Sequence, residues 1–205
     1  TLLALILIVA IGTVVVLNLP SFGKLPSGER LARIEQSPNY REGHFQNLSE
    51  TPDLTPTGSQ FSLFYNYFFP NTKDLYPQKP LPTVQTELGS LPDNTWVWFG
   101  HSSYLMNIEG KKVLIDPVFH SASPFSFMVK PFDYEYTYSE KDMPQRIDLL
   151  VLTHDHWDHL DYKTMKALKV AYNRWYALLG SVRIWNIGVL PKRRLPNWTG
   201  RTSLG

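Results

Sequence analysis

Three of the chain's six histidines and two of its aspartates fall within six consecutive positions, from His154 through Asp155, His156, Trp157 and Asp158 to His159. Imidazole nitrogens and carboxylate oxygens at this density suit a divalent metal, zinc best, with iron and manganese as alternatives. The sequence contains no cysteine, so any metal must be held by His, Asp or Glu. The cluster directly follows an apolar run ending at Leu152, and the end of a strand is where functional side chains are commonly presented. If the backbone stays extended, His154 and His156 point the same way, because side chains two residues apart share a face. Asp158 and His159 come where the chain turns, and can face a second metal. Two blander readings compete: a chance cluster of polar loop residues, and a metal-binding loop without catalysis.

The elements that must carry this loop begin at Thr95. Residues 95–99 are aromatic and β-branched, residues 103–108 alternate, Glu109-Gly110 is a turn signal, and residues 112–115 form a further apolar run. This pattern predicts a meander ending at Asp116-Pro117. Residues 147–152 predict a buried strand, 153–161 the polar loop, and Tyr162 onward a helix. Upstream, residues 20–94 are punctuated by proline and read as an extended arm lying over a domain. The aromatic patch at residues 61–69 is expected to pack on the domain surface, with a lipid-contacting surface as the sharper alternative. Residues 1–19 are almost wholly apolar and uncharged. They are expected to form an apolar helix acting as a single membrane anchor, with a signal peptide or a buried core helix as alternatives.

The charge distribution is uneven. Residues 1–161 hold 11 Lys and Arg against all 18 Asp and Glu, whereas residues 162–205 hold nine basic residues and no acidic one. A basic tail of this kind can bind anionic lipid or nucleic acid; nucleic acid is not the partner favoured here.

Trp98-Phe-Gly-His-Ser-Ser103, Leu114-Ile-Asp-Pro-Val118 and the stretch from Thr153 to Tyr162, with its H-x-H-x-D-H core, together resemble the metallo-β-lactamase superfamily. They are most similar to the branch containing the N-acylphosphatidylethanolamine-hydrolysing phospholipase D and its bacterial relatives. The resemblance covers about residues 85–168. It implies an α/β fold, the αββα sandwich, with a two-metal site at one edge of its sheets. By the matching positions, His154 and His156 would hold the first metal, and Asp158 and His159 the second. Asp158 would also help to orient the attacking water. Two zinc ions, or iron or manganese in their place, would lower the pKa of a water and clamp the reacting oxygens. That chemistry suits hydrolysis of a phospholipid or another phosphodiester, with a lactone or ester as the runner-up. The resemblance implies a supporting role for Asp116, with a turn-capping aspartate as the alternative. Asp161 would orient a ligand imidazole from behind. His101 is expected to make a structural hydrogen bond, with substrate contact as the alternative. Asp155 and Trp157 occupy the variable positions of the motif and are assigned no metal role, and His44 and His120 are expected to be ordinary surface or loop histidines.

Members of this superfamily supply further His and Asp ligands later in the chain, yet after Asp161 this sequence has no His, Asp, Glu or Cys. The loop alone is therefore expected to be an incomplete cage that holds at most one metal weakly, or an inactive metal-binding remnant. The expected layout is an anchor at 1–19, an arm at 20–94, the N-terminal half of the sandwich at 95–169, and a basic tail at 170–205 foreign to the fold. A frameshift near residue 170 would produce such a tail.

Overall fold

The computed structural model describes residues 1–49, 59–69, 77–125, 127, 129, 131–168 and 175–177. Helix α1 (Leu2–Leu17) leads into a 3-10 turn at Pro20–Phe22, helix α2 (Gly28–Glu35) and a small hairpin of β1 (Tyr40–Arg41) and β2 (His44–Phe45). Helix α3 (Gln60–Phe68) follows. The main sheet has the order β3 (Thr95–Gly100), β4 (Ser103–Ile108), β5 (Lys111–Ile115), β6 (Leu149–Leu152), β7 (Trp175–Ala177), with α4 (Tyr162–Leu168) between its last two strands in sequence.

The meander forms as its alternation predicts: β3, β4 and β5 pair antiparallel. The turn at Glu109-Gly110 places both residues at positive φ, a conformation for which glycine carries no steric penalty. After the long loop the chain returns as β6, parallel to β5, and β7 adds parallel to β6. Asp148 ties the first parallel pair. Its N–H donates to the Lys112 carbonyl at 2.9 Å, and its carboxylate accepts from the Lys112 N–H at 3.1 Å and pairs with Arg146 at 3.1 Å. The Lys112 N–H, followed by the nearby Arg146 and Lys111 charges, holds the Asp148 carboxyl below its ordinary range.

The two faces of this sheet differ. Leu105, Leu114, Leu150 and Leu152 lie on one face and are buried with Ile147, Leu88, Leu91, Tyr138, Leu160, Met165 and Leu168. Successive side chains along a strand point to opposite faces, and the register carries Trp96, Trp98, Tyr104, Met106, Val113 and Ile115 onto the other face. There Trp96 and Trp98 are 65% and 53% exposed.

The arm is partly as expected. Residues 81–91 do run along the domain: Leu81 bridges to Tyr134, the Thr86 N–H donates to the Tyr138 hydroxyl at 2.8 Å, and Leu88 and Leu91 enter the core. The aromatic patch departs from expectation. It is a helix, capped by Ser59, and Phe61, Leu63, Phe64 and Phe68 are exposed. Strand β7 lies beyond residue 169, so the sheet reaches into the segment expected to stand outside the fold. Residues 178–205 lie outside the described residues.

The membrane-anchor expectation is corrected here. The apolar helix does form, but it has 16 residues, about 24 Å at 1.5 Å per residue, against a hydrocarbon layer of about 30 Å. Asn18 ends it by donating its side-chain amide back to the Val14 carbonyl at 2.8 Å, and Pro20 opens a 3-10 turn instead of another helical turn. Among the described residues no helix is long and apolar enough to cross a membrane. Hydropathy had counted Asn18 and Leu19 into the span; local hydrogen bonding removes them.

Two consequences can be measured. Leu150→Ala should lower the unfolding free energy by about 2–5 kcal/mol in a urea titration, as expected for a large-to-small change in a packed core, whereas Leu7→Ala on the exposed α1 should leave the midpoint unchanged. Asp148 contributes stability that is present above the unfolded carboxylate pKa of about 4 and is lost as pH falls through its lower folded value. Asp148→Asn should therefore remove that part of the acid-induced loss, seen as a flatter dependence of stability on pH below about 4.

Candidate metal centre

The candidate site is built on one buried carboxylate. Asp116, at the end of β5, is 1% exposed and adopts a left-handed φ of 40°. Its N–H donates to the Val151 carbonyl at 3.0 Å, which ties the ends of β5 and β6 together. The Ser103 hydroxyl donates to its carbonyl at 2.6 Å and accepts from the Val118 N–H at 3.1 Å, fixing the chain on both sides. The carboxylate itself then faces the loop after β6. It accepts from the Thr153 N–H at 2.8 Å, from the Thr153 hydroxyl, and meets His159 Nδ1 at 2.9 Å. A carboxylate accepts only, so His159 carries its proton on Nδ1 and turns Nε2 away from Asp116.

The loop folds back on itself above this anchor. The N–H groups of His159 and Leu160 both donate to the His156 carbonyl, at 3.0 and 2.8 Å. Three imidazoles gather: ring centroids are 4.7 Å apart for His154 and His156 and 3.8 Å apart for His154 and His159. Burial, then the neighbouring His159 and His156, push the His154 pKa below its ordinary value. That favours the neutral ring, the form in which a nitrogen lone pair is free for a metal. Asp158 Oδ2 lies 3.8 Å from His159 Nε2 and 2.8 Å from His101 Nε2. Among the described residues, His101, Asp158 and His159 are the group of potential ligand atoms that lie within 4.8 Å of one another; His154 and His156 stand beside this group without joining it.

The structure distributes the predicted roles unevenly. Asp116 contacts a loop imidazole directly, and its position at a strand end was the legible signal. Asp161 does not contact one. Its carboxylate accepts from the Lys163 N–H at 3.1 Å, the Thr164 hydroxyl at 2.6 Å and the His120 N–H at 2.9 Å, so it caps α4 and holds the loop after Pro117. The expectation that Asp161 orients an imidazole is corrected: the helix start uses its oxygens, and Asp116 does that work. His120 itself sits 3.4 Å from Glu140. Two residues given no metal role do matter, and His101 makes a hydrogen bond of the kind expected of it. Thr153 bridges Asp116 to the rings, its hydroxyl 3.1 Å from His154 Nδ1. Trp157 donates its indole N–H to the Ser21 carbonyl at 3.0 Å and packs edge-on against Phe22, with centroids 5.4 Å apart. His101 meets Asp158. Of Thr153 and Trp157, only the Thr153 hydroxyl, adjacent to the cluster, left a trace in the sequence.

Comparison with known proteins identifies the family. Residues 96–203 match the family model described as beta-lactamase superfamily domain. An uncharacterised protein of Mycobacterium tuberculosis is 33% identical over 136 residues, covering 65% of this chain and 37% of that protein. The N-acyl-phosphatidylethanolamine-hydrolyzing phospholipase D 1 of Caenorhabditis elegans is 33% identical over 86 residues, 40% of this chain and 24% of that protein. A metal-dependent hydrolase of Hyperthermus butylicus is 39% identical over 64 residues, 31% of this chain and 22% of that protein. The alignment thus spans little more than a third of the mycobacterial relative's length.

The two aspartates should separate on substitution. Asp116→Ala leaves the Thr153 N–H and the His159 Nδ1–H without their acceptor in a buried setting, at about 1–3 kcal/mol per group. Asp161→Ala removes a helix cap, at about 1 kcal/mol. Urea denaturation of the two variants should therefore rank Asp116→Ala as clearly the more destabilised; equal losses would remove Asp116 from its place beneath the loop.

Proposed function

Because this chain belongs to the beta-lactamase superfamily domain family, we propose that it is a metal-dependent hydrolase of the phosphodiesterase type, acting on a phospholipid-like phosphodiester in the manner of a phospholipase D. One observation carries the reading: the buried Asp116 carboxylate presents His159, through its Nδ1 at 2.9 Å, to the same corner that receives Asp158 and the neighbouring His154 ring. The donor set fits the group. Three imidazoles and one carboxylate in six residues make an N,O site for zinc, with iron and manganese accepted by the same atoms.

His154 and His156 would hold one metal and Asp158 and His159 a second, and such ions supply an acidified water and charge stabilisation for the departing oxygen. The remaining steps belong to the chain. Asp158, 38% exposed at its side chain, faces solvent and would orient the attacking water. Asp116 and Thr153 fix the rings before substrate arrives, so little reorganisation is needed at the moment of reaction. Phosphodiester chemistry is favoured over lactone hydrolysis by the similarity to the Caenorhabditis elegans phospholipase D.

The described sheet supports a wider architectural reading. One face is closed by α4 and the core; the other carries Trp96, Trp98, Tyr104 and Met106 and is apolar. An αββα sandwich needs one covered face and one apolar face for its second sheet. Residues 95–169 are proposed as the first half of such a sandwich, with residues 20–94 as the arm.

The test is metal uptake followed by turnover. The purified chain, loaded with zinc, is expected to bind the ion through the loop, and His156→Ala and Asp158→Ala should each weaken binding by about 10–100-fold or more. Release of a chromophore from a bis-aryl phosphodiester, absent in Asp158→Ala, would support the phosphodiesterase assignment. Turnover of a lactone instead would move the assignment to the runner-up, and zinc binding indifferent to both substitutions would remove the loop from the site.

A further inference from the structure

Resting on the metal-loop reading above, the geometry points to His101 as a metal ligand supplied from outside the loop, which completes with Asp158 and His159 a three-sided site for one divalent cation. The three ligand atoms lie within 4.8 Å of one another. His101 Nε2 is 2.8 Å and His159 Nε2 3.8 Å from Asp158 Oδ2. Ligand atoms about 2.0–2.2 Å from a tetrahedral cation stand roughly 3.3–3.6 Å apart, a value these two distances straddle. Each of these two distances would change by about half an ångström to meet that value.

The orientation of His101 is imposed, not accidental. Its side chain is 63% exposed, so burial does not fix it; the corner between β3 and β4 does. Pairing shifts register between Trp98 and Gly100, and Gly100 turns at φ 110° where a Cβ would come within 2.7 Å of the Tyr134 hydroxyl. His101 follows at φ 44°, a conformation uncommon outside glycine. The Trp98 indole N–H donates to the His101 carbonyl at 2.8 Å, and the Ser102 hydroxyl donates to the Asp158 carbonyl at 3.0 Å. The corner and the loop are thus bolted together on the backbone, which sets the two side chains face to face. Of the five non-glycine residues with left-handed φ among the described residues, Glu42, Asn94 and Glu109 sit in turns, and His101 and Asp116 are the two at this centre.

The chemistry is complementary. Two neutral imidazoles and one carboxylate make a singly negative N,N,O set, suited to a divalent ion. Coordination through Nε2 requires the His101 proton to reside on Nδ1. The exposed side of His101 leaves a fourth position open to water, the arrangement of catalytic sites as opposed to closed structural ones. A bystander histidine that merely donates a hydrogen bond to Asp158 would be replaceable by another donor; a ligand would not.

That difference is the experiment. The full chain, His101→Ala and His101→Gln are titrated with Co(II), following the visible d–d absorption together with free-ion concentration, and far-UV circular dichroism checks that each variant is folded. Glutamine keeps an N–H that can reach Asp158 but offers no imidazole. The expected result is that both variants bind Co(II) about 10–100-fold more weakly or worse, with a changed d–d envelope reporting the lost nitrogen. If His101→Gln binds with the affinity and spectrum of the unsubstituted chain, His101 is only a hydrogen-bond donor and the inference is overturned while the metal loop stands. If the unsubstituted chain binds no Co(II), the loop reading and this inference fall together.

Discussion

Everything at this centre depends on a carboxylate buried where two strands end. Asp116 is almost wholly excluded from solvent, and a buried carboxylate is tolerable only when its oxygens are satisfied. Here the Thr153 N–H, the Thr153 hydroxyl and His159 Nδ1 satisfy them. The requirement runs in both directions. The charge demands donors, and the donors it recruits are the first residue of the loop and the last histidine in it. Satisfying one buried group therefore pins both ends of the segment from Thr153 to His159. The parallel pairing of β5 and β6 is what brings the two strand ends together, and the Asp116 N–H bond to Val151 closes it.

How much of this was legible follows from how local each signal is. The ligand types at His154, His156, Asp158 and His159 and the strand before them are consecutive residues, and the alternation of β3 to β5 needs only a window of a few positions; both could be read directly. Asp116 and Asp161 could not be told apart, because a cap and an imidazole partner are the same residue type near the same loop. The structure decides by geometry: Asp161 lies at the start of α4, where free N–H groups compete for its oxygens. His101 is 57 residues from Asp158, and its meeting with it depends on a left-handed corner that no periodicity reports. The apolar N-terminal run was legible as a helix by composition, but its end is set by Asn18 and Pro20, which hydropathy averages away.

The loop is held from more than one side. Asp116 lies beneath it, Ser102 bonds the Asp158 carbonyl from the β3–β4 corner, and Ser21 accepts from Trp157 on the side of the N-terminal arm. Phe22 packs against both Trp157 and Phe125, so the arm also touches the long loop between β5 and β6. Apart from the Asp116 bond to the His159 ring, these contacts act on the backbone or on residues that are not themselves candidate ligands. The His159 ring is held through Nδ1, which leaves its Nε2 for an ion while the chain that carries the loop stays fixed. Order of this kind, set before binding, lowers the cost of assembling a site around a cation or a substrate.

The contrast between the two faces of the main sheet bears on how far the centre is self-sufficient. Its ligands hang from the ends of strands whose buried side is packed by Leu105, Leu114, Leu150 and Leu152 against Met165 and Leu168. That packing, with the Val151 and Ser103 hydrogen bonds, defines β5 and β6 and hence the position of Asp116. The opposite face, with its two exposed tryptophans, contributes nothing to Asp116 and little to the loop, but its strand β3 leads through Gly100 to His101. The side of the centre that Asp158 shares with His101 is therefore coupled to the less covered face, and the side that His159 shares with Asp116 to the closed core.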